Sequence, residues 1–319
     1  MAIDLMALEP QQISRDLRGK YCMIYGPAGC GKSELASQFP KSLLCGFEQG
    51  SNGLHQVYVQ PMKTWSDWKQ TVAQLLKKPE LKDKFYTICI DTAEEAYKLC
   101  EKWVCQQFNA DSIKEVAGYG QGYKILDDAF MTPFRDLTYA GYGLVFISHS
   151  KDKPDPLPND SEHTKAKTAL PDRAFDLLNK MVDLVGYISV ETTEEGQARY
   201  IYFRETQDFF AKSRFKYIKP KVDFSYKSIV DAIYSAIDKQ VEIQGGAATN
   251  EQNPYAQQSF EDLMEEAKAL WNKAIGAEKI NEVGTILKEV FGKPIKFSEI
   301  LPEQIEQLKD ALIKIKDLF

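Results

Sequence analysis

The chain predicts an α/β fold with a mostly parallel sheet, followed by a small α-helical unit. Three observations carry this. A glycine-rich phosphate-binding loop joins an apolar run to a helical one near the start of the chain. Strand-like and helical stretches then alternate up to residue 244, the pattern of βα units closing a parallel sheet. A small, polar, non-periodic stretch at 245–258 follows, and beyond it only helical periodicity remains. The division is therefore a core at 1–244, a flexible linker at 245–258 and a helical domain at 259–319.

The first strand is expected at 21–25, because Tyr-Cys-Met-Ile-Tyr runs directly into Gly-Pro-Ala-Gly-Cys-Gly-Lys-Ser. A helix over 33–38 is stopped near Pro40. Further apolar runs at 42–47, 85–90, 143–148, 186–190 and 200–204 read as strands. Helical spacing appears at 64–76, 93–108 and 122–137, and a helix at 225–240 closes the domain. In the tail, Phe260, Leu263, Ala267, Leu270 and Ala274 recur at helical spacing, as do Ile305, Leu308, Leu312 and Ile315. These stripes read as the core of a small bundle or as a groove for a partner. No internal repeat is visible.

Composition narrows the class. Of 319 residues, 44% are hydrophobic and 12% aromatic, enough for a sizeable core. The net charge of −6 excludes a bulk polycation, so any nucleic-acid contact must come from local basic patches. No apolar run is long enough for a bilayer, and residues 1–18 are too charged for a signal peptide; a cytoplasmic protein with no membrane partner is expected. The six cysteines (Cys22, Cys30, Cys45, Cys89, Cys100 and Cys105) show no metal-ligand spacing and read as buried, reduced thiols.

The loop Gly26, Pro27, Ala28, Gly29, Cys30, Gly31, Lys32, Ser33 is a complete G-x-x-x-x-G-K-S motif between a strand and a helix. Its backbone N–H groups would cradle nucleotide phosphates, Lys32 would reach the β- and γ-phosphates, and Ser33 would take a Mg²⁺ position. The expected ligands are ATP and Mg²⁺. In open α/β sheets the ligand sits at the carboxyl ends of the strands, so the polar residues there matter next. Asp91 ends the third strand and fits a Walker B carboxylate that holds Mg²⁺, or an N-cap for the following helix; both can hold at once. Glu48, after the second strand, would activate the attacking water or be a solvated loop carboxylate. His149, in Ser148-His149-Ser150 after the fourth strand, would sense the γ-phosphate, or be a capping or simply exposed histidine.

This layout resembles that of RecA-like ATPases, and the wording is similar to that of the phage-encoded Sak4-type single-strand annealing proteins. The stretches that carry the resemblance are 25–33, 47–50, 90–92, 118–123, 146–150 and 211–215, within residues 18–220. It implies a RecA-like P-loop core that binds single-stranded DNA and anneals strands in phage recombination. It also implies assembly into a ring or filament and cooperation with a single-strand DNA-binding protein. That partner could dock on the C-terminal tail. By the same resemblance Glu48 matches the catalytic glutamate, and His149 stands where RecA has a glutamine. Lys212 and Arg214 match a Lys-x-Arg pair that reaches a neighbouring subunit's ATP site, where such a finger is worth roughly three or more powers of ten in rate. Read from the residues alone, the pair is equally a DNA-backbone contact or a solvated basic edge.

Two segments qualify as DNA contacts. Residues 150–173 form a long Pro-interrupted loop with Lys151, Lys153, Lys165, Lys167 and Arg173, diluted by Asp152, Asp155, Asp160 and Glu162. Residues 117–124 offer Tyr119 and Tyr123 for base stacking, or for a hinge packed on the core. Three functions stay open: a DNA-dependent ATPase, a DNA-binding protein that uses ATP as an assembly switch, and a helicase or helicase loader. Recognisable helicase motifs and a second ATPase domain are lacking.

Overall fold

The computed structural model describes residues 12–17, 20–78, 80–194, 196–249 and 260–319. Residues 250–258 of the expected linker, and Met1–Gln11 of the charged amino terminus, lie outside the described residues. The chain divides into two compact units, one holding residues 12–138 and 142–255 and the other holding the tail from Ala256.

The larger unit opens with β1 (Ile13–Ser14), β2 (Cys22–Gly26), α1 (Lys32–Ser37), β3 (Ser42–Gly46) and β4 (Tyr58–Pro61). It continues through α2 (Trp65–Lys77), α3 (Leu81–Lys84), β5 (Thr87–Asp91), α4 (Ala93–Gln107), α5 (Ile113–Val116) and α6 (Gln121–Tyr139). Then come β6 (Gly143–Pro154), β7 (Thr164–Thr168), α7 (Asp172–Met181), β8 (Leu184–Thr193) and β9 (Gly196–Tyr202). β10 (Lys212–Ser213), β11 (Lys221–Asp223), α8 (Tyr226–Gln244) and β12 (Ala248–Thr249) complete it. The main sheet has the order β11-β9-β8-β2-β6-β5-β3-β4, parallel from β8 to β4 and antiparallel at the β8-β9-β11 edge. A strand, β6, lies between β2, which leads into the glycine-rich loop, and β5, which ends at Asp91. This is a mixed α/β core with a mostly parallel sheet.

The central strands are apolar because helices cover both sheet faces, the condition for an all-parallel centre. Every residue of β2 and β5 is buried. Strand alternation divides the layers. Val145 and Ile147 of β6 face Leu35 and Ala36 of α1 and Ile229, Ile233 and Ile237 of α8. Phe146 turns the other way, onto Phe134 of α6, which meets Phe130, Trp65 and Trp68. Phe130 and Phe134 are fully buried, each contributing about 1.5–3 kcal/mol. The Trp65 and Trp68 indole N–H groups are buried without partners. That omission costs about 1–3 kcal/mol each, and the large indole area offsets it. α2 starts on a capping box in which Thr64 and Asp67 exchange side-chain-to-backbone bonds at 3.1 and 2.8 Å.

The structure departs from expectation mainly at 150–173, which is a β-hairpin rather than a structureless loop. β6 continues beyond His149 to Pro154 and pairs antiparallel with β7, Lys151 opposite Lys167 and Lys153 opposite Lys165. Charged residues on both strands hide the alternation from an apolar-run search. α7, with its Asp-Arg start, and the short edge strand β4 also go unseen in the sequence. Ala248–Thr249, placed in the expected linker, pair in parallel with β1.

The tail unit holds α9 (Phe260–Gly276), α10 (Ile280–Phe291) and α11 (Ile305–Lys316). Its core gathers Leu263, Ala267, Ala274, Val283, Leu287, Leu308, Leu312 and Ile315. The two stripes seen in the sequence line this core, and α10 supplies a third. A chain ending at Thr249 keeps both halves of the β1–β12 pair and is expected to melt in one cooperative transition. Calorimetry showing a broad, non-cooperative melt would make the tail part of the core.

Candidate nucleotide site

Parallel register builds the site. Gly26, the last residue of β2, pairs with His149 of β6; Asp91, the last of β5, pairs with Gly46 of β3 and with Ile147 of β6. The carboxyl ends of β2, β3 and β5, with the point on β6 where its pairing to β2 ends, thus bring the phosphate loop, Glu48, Asp91 and His149 to one edge. Phe47 N–H reinforces this by donating to the Asp91 carbonyl at 2.6 Å.

The loop turns on Gly29 (φ +75°) and Gly31 (φ +94°), a left-handed backbone that side chains with a Cβ rarely adopt. Gly26 has a different constraint: a Cβ there would lie 2.9 Å from the Ile188 carbonyl and 3.0 Å from its Cβ. Cys30 is buried, and burial pushes its thiol pKa up against the opposing pull of Lys32 and Arg199, which disfavours the reactive thiolate.

Lys32 is only 6% exposed, and its ammonium donates to the carbonyls of Gly26 (3.1 Å) and Pro27 (2.8 Å). A buried cation bonded to neutral carbonyls inside a ring of loop amides is a place for anionic oxygens. Ser33 Oγ donates to Asp91 Oδ2 at 2.6 Å. Asp91 is 4% exposed; burial raises its pKa, the Ser33 hydrogen bond opposes that, and the nearby Glu48 charge adds to it. A hydroxyl and one buried carboxylate form a hard-oxygen pair that suits Mg²⁺, which takes few protein ligands and completes its shell with water and phosphate. No group of three or more His, Cys, Asp or Glu side chains able to hold a metal occurs among the described residues. The residues present thus fit a metal bound together with a nucleotide rather than a metal held by protein alone.

Around this pair stand two half-buried groups. Glu48 Oε2 accepts from Thr92 Oγ1 at 3.4 Å, and its Oε1 lies 3.7 Å from His149 Nε2. His149 Nδ1 meets Glu94 Oε1 at 2.8 Å. Thr92 lies in the 90–92 stretch that carries the resemblance but without a role of its own, and Glu94 has no role in the sequence reading. The signal available was the acidic first turn of α4, which the helix dipole alone explains.

Arg199 of β9 is a further residue without a role in the sequence reading. Its guanidinium lies 4.1 Å over the Phe224 ring, pairs with Glu34 at 2.9 Å and reaches the Cys30 carbonyl at 3.4 Å. Its Nη1 fills the space where a Cβ on Gly31 would stand. The sequence displayed it only as one of several cations at 199–221.

The remaining candidates are dispersed. Lys212 Nζ donates to the carbonyls of Asn179 and Val182, and Arg214 binds Asp183 at 3.0 Å and the Lys180 carbonyl at 2.5 Å. Both lie where β10 pairs with Leu184 and Val185, at the amino end of β8, away from the phosphate loop of their own chain. Lys151, Lys153, Lys165 and Lys167 share one face of the hairpin. Like charges facing each other across strands repel, and Asp172 pairs with Lys153 (2.7 Å), Glu205 with Lys165 (2.5 Å) and Asp155 with Lys167 (3.0 Å). Arg173 grips Asp127 through two bonds of 2.7 and 2.6 Å and lies 5.2 Å over the Tyr123 ring. Tyr119 is fully exposed at a turn with φ +54°. No helix among the described residues is long and apolar enough to cross a membrane. All six cysteines are free, five of them buried.

Gly26→Ala is expected to cost about 1–3 kcal/mol of stability, read as a lowered urea midpoint at unchanged slope, because the close neighbour is backbone.

The chain is 27% identical to the SPbeta prophage-derived uncharacterized protein YorG of Bacillus subtilis (strain 168), across the whole chain and 99% of that protein. Among solved structures it is similar to the flagellar accessory protein FlaH of Methanocaldococcus jannaschii, with 12% identity and a TM-score of 0.33 over 58% of this chain and 77% of that one. A KaiC-like protein, PH0186 of Pyrococcus horikoshii OT3, gives 10% identity and a TM-score of 0.32 over 59% and 79%. A family model described as an AAA domain matches residues 18–215, which span the phosphate loop, Asp91 and His149, and the chain belongs to that family.

Proposed function

We propose that the protein is a Mg²⁺-dependent ATPase that acts on single-stranded DNA and promotes strand annealing in phage recombination. The observation that carries the ATPase reading is the meeting of Lys32, Ser33, Asp91, Glu48 and His149 at one sheet edge beside a complete phosphate loop. Bound ATP supplies the γ-phosphoryl group, and Mg²⁺ supplies the charge that neutralises it. The loop amides and Lys32 would hold the phosphates, and Ser33 and Asp91 would hold the metal. Glu48 accepts a proton as the water oxygen bonds to the γ-phosphorus and the bond to the leaving ADP oxygen breaks.

The DNA part rests on three supports. The motif resemblance reaches beyond the phosphate loop to Glu48, His149 and the Lys-x-Arg pair. β6 runs without interruption from His149 into a hairpin with four lysines on one face. A relative similar along its full length is described as prophage-derived. Lys151, which is exposed, with Lys153, Lys167 and Arg173, would follow the phosphate backbone once DNA oxygens compete with Asp172, Asp155 and Asp127; Lys165 is buried against Glu205 and would join them only on release from it, and Tyr119 and Tyr123 would stack on bases. Lys212 and Arg214 would serve a neighbouring subunit of a ring or filament, since they lie away from their own loop. Work in the cytoplasm of a bacterial host, and docking of a single-strand DNA-binding protein on the tail, belong to the same reading.

ATP turnover is to be measured without DNA, with single-stranded DNA and with duplex DNA. Selective stimulation by single strands is expected. Flat turnover with intact ATP binding would favour a nucleotide-switched annealing protein. Lys32→Ala should abolish ATP binding in equilibrium dialysis; undiminished affinity would remove the loop from the site. Glu48→Gln should bind ATP normally and lose at least about 100-fold in kcat; full turnover would exclude Glu48 as the base.

A further inference from the structure

Glu94 is the second residue of α4, only 5% exposed, and among the described residues its hydrogen bonds go to His149. Its Oε1 accepts from the His149 backbone N–H at 2.9 Å and meets His149 Nδ1 at 2.8 Å. Its Oε2 is buried without a hydrogen-bond partner. Leaving a carboxylate oxygen so placed is costly, and the helix amino terminus offsets part of that cost. What the placement achieves is control of the His149 ring. A backbone N–H only donates, so Oε1 is an acceptor, and the ring nitrogen beside it carries its proton toward it.

With Nδ1 protonated, Nε2 of the neutral ring is a lone-pair acceptor. It points at Glu48, 3.7 Å from Oε1, beyond a direct hydrogen bond. Two acceptors facing each other at that distance repel unless a donor lies between them, and a water molecule has two O–H groups to offer. On the far side, Glu48 is steadied by Thr92 Oγ1.

We propose that Glu94 is a positioning residue: it fixes His149 as the Nδ1–H tautomer, with Nε2 turned to Glu48, so that imidazole and carboxylate together bind one water by its two protons. The water thus held is the nucleophile of the ATPase reading, on which this inference rests. Glu48 is the partner that removes a proton; His149 orients the water and exchanges none.

Long-range ¹H–¹⁵N spectra of the three histidine side chains, with His149 assigned by its loss in His149→Gln, read the tautomer directly and require no turnover. Wild-type protein should show a protonated Nδ1 and a bare Nε2 at mildly alkaline pH. Glu94→Met, which fills the space and removes the acceptor, should shift His149 to Nε2–H. It should also lower kcat roughly 10–100-fold with the ATP dissociation constant unchanged. Glu94→Gln, which keeps an acceptor, should retain the tautomer and most of kcat. Should the methionine variant lose its cooperative melt, Glu94→Asp, whose carboxylate falls one methylene short of Nδ1, is expected to give the same tautomer shift. A wild-type Nε2–H ring, or a variant lacking the acceptor whose tautomer or kcat is unchanged, overturns the proposal. A wild-type protein with the expected tautomer but no ATP hydrolysis under any DNA condition would overturn the role in turnover and the ATPase reading, leaving only the Glu94–His149 contact.

Discussion

The register of the parallel strands β2, β6, β5 and β3 is the constraint on which the rest of the structure depends. Gly26 faces His149, and Gly46 faces Asp91, because every strand in this group is hydrogen-bonded to its neighbour in one phase. A slip of one residue would exchange the two faces of a strand. In β6 it would take Phe146 out of the aromatic layer around Phe134 and Val145 and Ile147 off α1 and α8. The core thereby locks the register, and the register positions the chemistry. No site residue has to hold the edge together by itself.

Charge balance at that edge follows from the same geometry. Glu48, Asp91 and Glu94 bring three carboxyl groups near one another, two of them buried, against the buried ammonium of Lys32. Each is managed differently. Glu94 sits in a helix first turn and takes two donors from His149; Asp91 takes the Ser33 hydroxyl; Glu48 keeps contact with solvent. Burial raises the Asp91 pKa despite the Ser33 bond, which means that this carboxylate gains from any cation brought beside it. Lys32, in turn, gains from any anion brought into the loop. A bound metal–phosphate pair answers both imbalances at once, and that complementarity is a physical argument for nucleotide and metal binding together.

Much of this was legible in the sequence, and the reasons differ by element. Buried parallel strands are continuous apolar runs, so β2, β5 and the first half of β6 stand out, and the phosphate loop is legible because its glycines are spaced for a backbone task. β7 and the outer half of β6 were hidden because their alternation is between lysine and small or acidic residues. They pair through backbone bonds and through Asp155, Glu205 and Asp172, partners scattered along the chain. Arg199 was hidden for a similar reason: its neighbours Glu34 and Phe224 come from distant segments, and only the fold joins them. Glu94 was visible as a letter but not as a ligand of His149, since a glutamate at a helix start explains itself without tertiary contacts.

The continuity of β6 links the site to the surface that the DNA reading needs. His149 belongs at once to the nucleotide edge, through Glu94 and Glu48, and to the strand whose next residues form the lysine face. Ala169 N–H donates to the His149 carbonyl at 2.8 Å, so the return strand is anchored at the same residue. The backbone of His149 is therefore held by its N–H to Glu94 and its carbonyl to Ala169, and the ring by Nδ1 to Glu94. A group tied so firmly is poorly suited to large swings and well suited to holding a small molecule in register. A change in the hairpin reaches the imidazole through the backbone of one residue, without any intervening flexible segment. Coupling between an occupied lysine face and the water position then requires only that the His149 backbone shift by a fraction of a bond length. Orientation is sensitive on that scale, because a displacement of about 1 Å can cost 100-fold in rate.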